Sequence, residues 1–161
     1  MPTPSSITSA IVDALYDEAL LLAEEARLGF DNTPLAESLE AESYAEDASP
    51  ARIALSCEAL RTTTLLMHSL AWLLNHRAYL SGDMSEFQLR RHGRLPPAQP
   101  EANGEQLLML PINLQQIVRK SRALHARIAR LDRAWRDHFA MEPSAVHRLR
   151  ERLGTQLAMQ R

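Results

Sequence analysis

The segment from residue 51 to residue 81 constrains the fold of this chain most, because its apolar residues recur on one helical stripe without interruption. The heptad stripe consists of Ile53, Cys57, Leu60, Thr64, Met67, Ala71, Leu74 and Ala78. Its spacing alternates between four and three residues, which keeps one face of a long helix against a neighbouring helix. We therefore predict a long helix whose heptad stripe is mostly buried.

A second segment repeats the same spacing and provides a partner for the first. Its stripe consists of Leu114, Ile117, Ser121, Leu124, Ile128, Leu131, Trp135 and His138. No run of alternating apolar and polar residues predicts a strand. The two patterns predict an all-α fold, an antiparallel three-helix bundle with two long heptad-patterned helices and short accessory helices.

Glycine and proline mark the boundaries of the predicted helices. We predict a first helix over about residues 6–28, capped by Gly29 and lined on one side by Ile11, Leu15, Leu22 and Ala26. Ser49 is predicted to be the N-cap of the second helix, with Pro50 at its first position and Gly82 after its end. The third helix is predicted to lie between Pro111 and Pro143.

The remaining segments are predicted to be short helices and flexible connections. Asp83 and Glu86 resemble a capping box that begins a helix to about His92. Residues 144–159 are predicted to form a basic amphipathic helix. We expect a single domain over residues 1–161, with flexible segments at residues 1–5, 30–49, 93–111 and 155–161.

The length and residue types are typical of a cytoplasmic helical domain. A chain of 161 residues buries enough surface to fold without a metal or a disulfide. Cys57, the single cysteine, is most simply a small core residue in a reducing compartment. The chain begins without a leader-like pattern, and its most apolar run is too short for a membrane span.

The formal net charge of −2 conceals an asymmetry between the two parts of the chain. Residues 1–60 carry 12 acidic and 2 basic side chains, a balance of −10, whereas residues 61–161 carry 8 acidic and 16 basic ones, a balance of +8. Opposite charges of this kind either pair within the fold or attract separate partners. We favour pairing within the fold.

No motif in the chain predicts catalysis, a metal or a cofactor. A di-iron bundle requires Glu-x-x-His pairs, and none occurs. His68 and His125 lie on predicted helices, as in histidine phosphotransfer domains, but neither is followed by the Leu-Lys-Gly pattern of those domains. We therefore expect a protein that is not an enzyme.

The third helix is basic, which leaves a nucleic-acid interface as an alternative. Arg119, Arg122 and Arg130 recur at near-helical spacing and could follow a phosphate backbone. The acidic first part of the chain would oppose a polyanion, and no helix-turn-helix pattern is present. We therefore keep a structural or nucleic-acid-associated bundle as the alternative function.

The segment from Cys57 to Ala78, followed by Gly82, Asp83 and Met84, resembles the alphaproteobacterial regulator of CtrA degradation family. The matching positions are Glu58, Arg61, Thr63, Met67, Trp72, Leu73, Leu74, Arg77, Ala78, Gly82 and Met84. The resemblance implies a dimeric three-helix bundle without catalysis of its own. It also implies an adaptor role, in which the protein helps to bring cell-cycle regulators to the ClpXP protease.

These observations lead to an expected function and a set of candidate residues. We expect a homodimeric adaptor whose partners are the protease unfoldase, its regulators or its substrates. The candidate partner-binding residues are Glu58, Arg61, Arg77, Arg119, Arg122 and Arg130. Glu58, Arg61 and Arg77 lie off the heptad stripe and are expected to be free for such contacts.

Overall fold

The structure, a computed structural model, describes residues 4–33, 49–100 and 104–141. It contains helices α1 (Pro4–Asp31), α2 (Pro50–Leu80), α3 (Glu86–His92), α4 (Gly104–Leu108) and α5 (Ile112–Met141). No strand occurs in these residues, and the predicted all-α fold is confirmed. The predictions for most of residues 30–49 and for residues 144–161 lie outside the described residues.

The chain divides into two compact units, residues 1–128 and 129–161. The prediction of a single domain over residues 1–161 stays a prediction. Within the first unit, helix α1 runs antiparallel to both of the other long helices. Its N-terminal part pairs with the C-terminal part of α2 through Asp13 and Arg77, and its C-terminal part approaches the start of α5 through Gly29 and Ile117.

Helices α2 and α5 therefore run parallel to each other within the first unit, and the chain must return along the bundle between them. Helix α2 has 31 residues, which correspond to about 46 Å at 1.5 Å per residue. Residues 81–111 cover this distance and include α3 and α4. Helix α3 is attached to α2 by a hydrogen bond of 3.2 Å from Asn75 Nδ2 to the carbonyl oxygen of His92.

The predicted ends of α2 are confirmed. The Ser49 side chain accepts a hydrogen bond from the backbone N–H of Arg52, and Pro50 occupies the first turn. Gly82, just beyond the helix, has φ of 86°, a conformation that glycine adopts without strain. In α3, however, Ser85 and Gln88 form the capping box, so the predicted pair Asp83 and Glu86 is wrong.

Gly29 does not cap α1, which continues to Asp31. A Cβ atom at Gly29 would lie 2.8 Å from Ile117 Cδ1 and 3.1 Å from Leu114 Cδ2. The glycine therefore provides space for a close approach between α1 and α5. From the sequence alone, a glycine at this position is equally consistent with a helix C-cap and with a close helix–helix contact.

The core of the first unit is formed by one face of each long helix. The predicted stripe of α5 is confirmed as far as residue 128, since Leu114, Ile117, Ser121, Leu124 and Ile128 are all buried. On α1, Leu15, Leu22 and Ala26 are buried as predicted. Ile11 is 44% exposed, so its predicted place in the core is wrong.

The predicted burial of the heptad stripe of α2 is wrong. Leu60 and Met67 are 67% and 64% exposed, and Ile53 and Leu74 are each about half exposed. The buried residues of α2 are Ala54, Leu55, Glu58, Thr62, Leu65, Leu66, Ser69, Trp72, Leu73 and His76. Most of this buried face is offset from the heptad stripe by two residues, which is about 200° around a helix.

The buried face of α2 tolerates its polar residues because they have partners close by. Ser69 Oγ donates to the carbonyl oxygen of Leu65 at 2.8 Å. His76 Nδ1 lies 2.9 Å from the carbonyl oxygen of Trp72, and the two rings stack with centroids 3.6 Å apart. A hydrogen-bonded polar side chain costs little to bury. Helix α2 therefore carries apolar residues on two opposite faces, and the face in the core is the one that also holds buried polar residues.

The prediction of an extended, flexible segment over residues 93–111 is corrected in part. Residues 94–100 have no helix or strand, as predicted, but Gly104–Leu108 is helical. Leu110 is buried, and its carbonyl oxygen accepts a hydrogen bond of 2.8 Å from Gln115 Nε2. Among the described residues, no helix has the length and apolar character needed to cross a membrane.

Candidate functional site

Three of the predicted partner-binding residues meet in one place, where α2 and α5 pack side by side. Glu58 is only 2% exposed. Its Oε1 accepts a hydrogen bond of 2.9 Å from Arg122 Nη2, and its Oε2 lies 3.5 Å from Arg61 Nη1. The expectation that Glu58 is free for partner contacts is therefore wrong, because its carboxylate is buried between two guanidinium groups.

A cavity of about 200 Å³ opens beside this carboxylate. Besides Glu58, Arg61 and Arg122, its lining includes His125 and the extended segment 98–100. We call Glu58, Arg61, Arg122 and His125 the polar cluster. With His125 neutral, the cluster carries one net positive charge, since one carboxylate balances one of the two arginines.

His125 belongs to the polar cluster but is not among the predicted partner-binding residues. Its side chain is 6% exposed, and its Nε2 has no hydrogen-bond partner. Burial lowers the pKa of His125 below its ordinary value, the Pro96 backbone carbonyl opposes this shift, and the charge of His68 adds to it. The imidazole is therefore predominantly neutral at physiological pH.

We predict that His125 makes the protein less stable in mild acid. Its pKa is lower in the folded state than in the unfolded state. Below about pH 6.5 the unfolded state therefore binds more protons, and the free energy of unfolding decreases as the pH is lowered. The free energy of unfolding, measured by urea denaturation at several pH values in this range, should change less steeply with pH for His125→Gln than for the wild type. The exposed His92→Gln is the control, and an unchanged slope in His125→Gln would contradict the prediction.

The other predicted residues do not join the polar cluster. Arg77 lies at the other end of α2, where its Nε is 2.8 Å from Asp13 Oδ1 and its guanidinium carbon lies 4.4 Å from the centre of the Tyr16 ring. Arg119 is exposed on α5. Arg130 is also exposed and belongs to the second unit. Within the first unit, the structure thus brings Glu58, Arg61 and Arg122 together and leaves Arg77 at the other end of α2.

Within the first unit, acidic side chains of α1 pair with basic side chains of α5, as the charge asymmetry of the chain predicts. Lys120 Nζ lies 2.9 Å from Glu25 Oε1, and Arg127 Nη1 lies 2.8 Å from Glu18 Oε1. These pairs join the acidic α1 to the basic α5. They are exposed, so each contributes about 0–1 kcal/mol. Their consequence is that part of the positive charge of α5 already has a partner.

The heptad stripe forms a second candidate site, because it is an apolar surface rather than part of the core. A groove of about 360 Å³ adjoins it between α1 and α2. Its walls include Ala23 and Phe30 from α1, and Leu66 and Leu70 from α2, while Met67 belongs to both the groove and the heptad stripe. Large apolar side chains exposed together along one helix face are typical of a protein–protein contact.

Comparison with known proteins places the chain in a family without a described activity. No curated protein and no solved structure matches it. One family model, described as a protein of unknown function (DUF1465), matches residues 3–157, which is nearly the whole chain. The chain therefore belongs to the DUF1465 family of proteins of unknown function.

Proposed function

We propose that this protein is a non-catalytic adaptor whose protein-binding surface is formed by the heptad stripe of α2 together with the adjoining groove between α1 and α2. The exposed stripe is the observation that carries the proposal. Ile53, Leu60, Met67 and Leu74 recur every seven residues and are between 48% and 67% exposed. Apolar side chains at this spacing along a helix match the surface that a second helix requires.

The resemblance of residues 57–78 to the regulator of CtrA degradation family supplies the rest of the proposal. It supports a role in delivering cell-cycle regulators to the ClpXP protease. Three of the family-like positions, Met67, Leu74 and Ala78, lie on the heptad stripe, and Met67 and Leu74 are its exposed members among them. Others, including Glu58 and Trp72, are buried and are explained by packing.

A homodimer is part of the same proposal. Between its large residues the heptad stripe carries Cys57, Thr64, Ala71 and Ala78, which are small. Large and small residues in alternate positions allow two such stripes to pack closely. The adjacent groove remains available to a different protein, since it lies between α1 and α2 of one copy.

A quantitative pull-down tests the proposal. The tagged protein is restored to cells that lack it, and recovery of the ClpX unfoldase and its regulators is measured for the wild type and for Leu60→Gln/Met67→Gln. We expect the double variant to lose most of this recovery. The matched control is Leu21→Gln, which changes a leucine of α1 that is 74% exposed. Equal recovery by the two variants would overturn the proposal.

The alternative of a nucleic-acid-associated bundle has weaker support. Arg122 is paired with the buried Glu58, while Lys120 and Arg127 pair with carboxylates of α1. Of the three arginines that suggested this alternative, Arg119 and Arg130 remain exposed. If they contacted phosphates, Arg119→Glu/Arg130→Glu would remove salt-sensitive retention of DNA or RNA. Equal retention by the wild type and this variant would exclude the alternative.

A further inference from the structure

The polar cluster contains more hydrogen-bonding capacity than the protein itself uses. Glu58 Oε2, Arg61 Nη1 and His125 Nε2 are buried atoms without a hydrogen-bond partner, although the first two face each other as an ion pair at 3.5 Å. All three side chains line the same cavity of about 200 Å³. An unsatisfied buried polar group is unfavourable for the folded protein, so three of them around one space indicate a site for a bound molecule.

From this geometry we infer that the cavity binds a small carboxylate that carries an N–H or O–H group on the neighbouring carbon. Arg61 is the group that recognises the carboxylate, because a guanidinium presents two parallel N–H donors to two oxygens. Glu58 Oε2 accepts the hydrogen bond from the N–H or O–H of the ligand. His125 Nε2, when it takes up a proton beside the bound anion, donates a third hydrogen bond to the carboxylate.

The charges of the cluster favour an anion over a neutral molecule. Arg122 Nη2 lies 2.9 Å from Glu58 Oε1, whereas Arg61 Nη1 is more distant, at 3.5 Å from Oε2. The single carboxylate is therefore held more tightly by Arg122, and the one net positive charge of the cluster lies mainly at Arg61. His125, which faces Glu58, Arg61 and Arg122 and is near His68, would take up a proton more readily beside a bound anion.

The size and walls of the cavity limit the ligand. Its volume of about 200 Å³ is below the roughly 300–1,000 Å³ of sites for drug-sized molecules. Leu65, Pro100 and Ala126 contribute apolar walls. A short hydroxy acid, a free amino acid or the C-terminal residue of a peptide fits these limits, since all three share the carboxylate with an adjacent donor.

Binding to the full-length protein can be measured by NMR with four probes. Lactate, alanine and trialanine carry the carboxylate and the donor, whereas lactamide lacks the carboxylate. We expect shifts of the His125 ring signals with the carboxylates, with a dissociation constant on the order of 1 mM for so small a ligand, and none with lactamide. The relative affinities of the first three probes distinguish a hydroxy acid, a free amino acid and a chain terminus.

Variants assign the binding to the polar cluster. Arg61→Gln should weaken binding by about tenfold, because a charge-assisted pair is lost, while it leaves the Glu58–Arg122 pair in place. The control is Arg77→Gln on the same helix, and circular dichroism verifies that both variants are folded. Equal shifts with lactate and lactamide, no binding by any probe, or unchanged binding by Arg61→Gln would each overturn the inference.

Discussion

Replacing Trp72 with alanine is expected to lower the free energy of unfolding by about 3–5 kcal/mol, the usual cost of removing a large aromatic side chain from a core. Trp72 is 1% exposed and stacks on His76 at a centroid distance of 3.6 Å. A typical domain is stable by only about 5–15 kcal/mol, so this variant should be partly unfolded at moderate urea concentrations. Urea denaturation followed by circular dichroism measures the change.

A matched pair of leucines on the same helix shows whether the effect depends on the face. Leu73 is fully buried and Leu60 is 67% exposed. At protein concentrations low enough to keep the chain monomeric, we expect Leu73→Ala to cost about 2–5 kcal/mol and Leu60→Ala to change stability by no more than about 0.5 kcal/mol. If Leu60→Ala were as costly as Leu73→Ala, the assignment of the buried face of α2 would be wrong.

Removing the carboxylate of Glu58 should also destabilise the protein. Glu58→Gln leaves Arg122 and Arg61 beside a neutral group in a largely buried position. Breaking a buried pair typically costs 3–5 kcal/mol, and the partial exposure of the two arginines places the expected loss near the lower end, at about 3 kcal/mol. Urea denaturation of the single variant gives the value directly.

A second variant separates the ion pair from a general loss of packing. In Glu58→Leu/Arg122→Leu both charges are removed and apolar groups replace them. We expect this double variant to be more stable than Glu58→Gln, because Arg122 no longer lacks its counter-charge. If the double variant were instead less stable than Glu58→Gln, the two side chains would not be coupled as their 2.9 Å distance implies.

The three long helices follow from sequence patterns that are largely local. Helix α5 carries one apolar stripe, and its predicted residues through Ile128 are buried, although the buried Val118 lies outside the predicted stripe. Helix α2 carries apolar residues on two opposite faces, and the more regular of them is exposed. The buried face contains Glu58, Thr62, Ser69 and His76. A search for apolar residues therefore selects the wrong face, because the partners that make polar burial favourable lie partly on another helix.

The polar cluster could be predicted only in part. Glu58 and Arg61 lie three residues apart, a spacing at which side chains meet on a helix. Their meeting with Arg122 and His125 depends on the parallel arrangement of α2 and α5, which the long 81–111 connection makes possible. No local pattern determines that arrangement. The basic character of α5 identified Arg122, but its buried counter-charge is a tertiary contact.

The half-life of ClpXP substrates in cells tests the adaptor proposal most directly. Turnover of cell-cycle regulators is measured after translation is stopped, in cells lacking the protein and in cells restored with the wild type, Leu60→Gln/Met67→Gln or Leu21→Gln. We expect longer half-lives without the protein and with the double variant, and normal half-lives with the wild type and Leu21→Gln. Identical half-lives with and without the protein would contradict the proposed function.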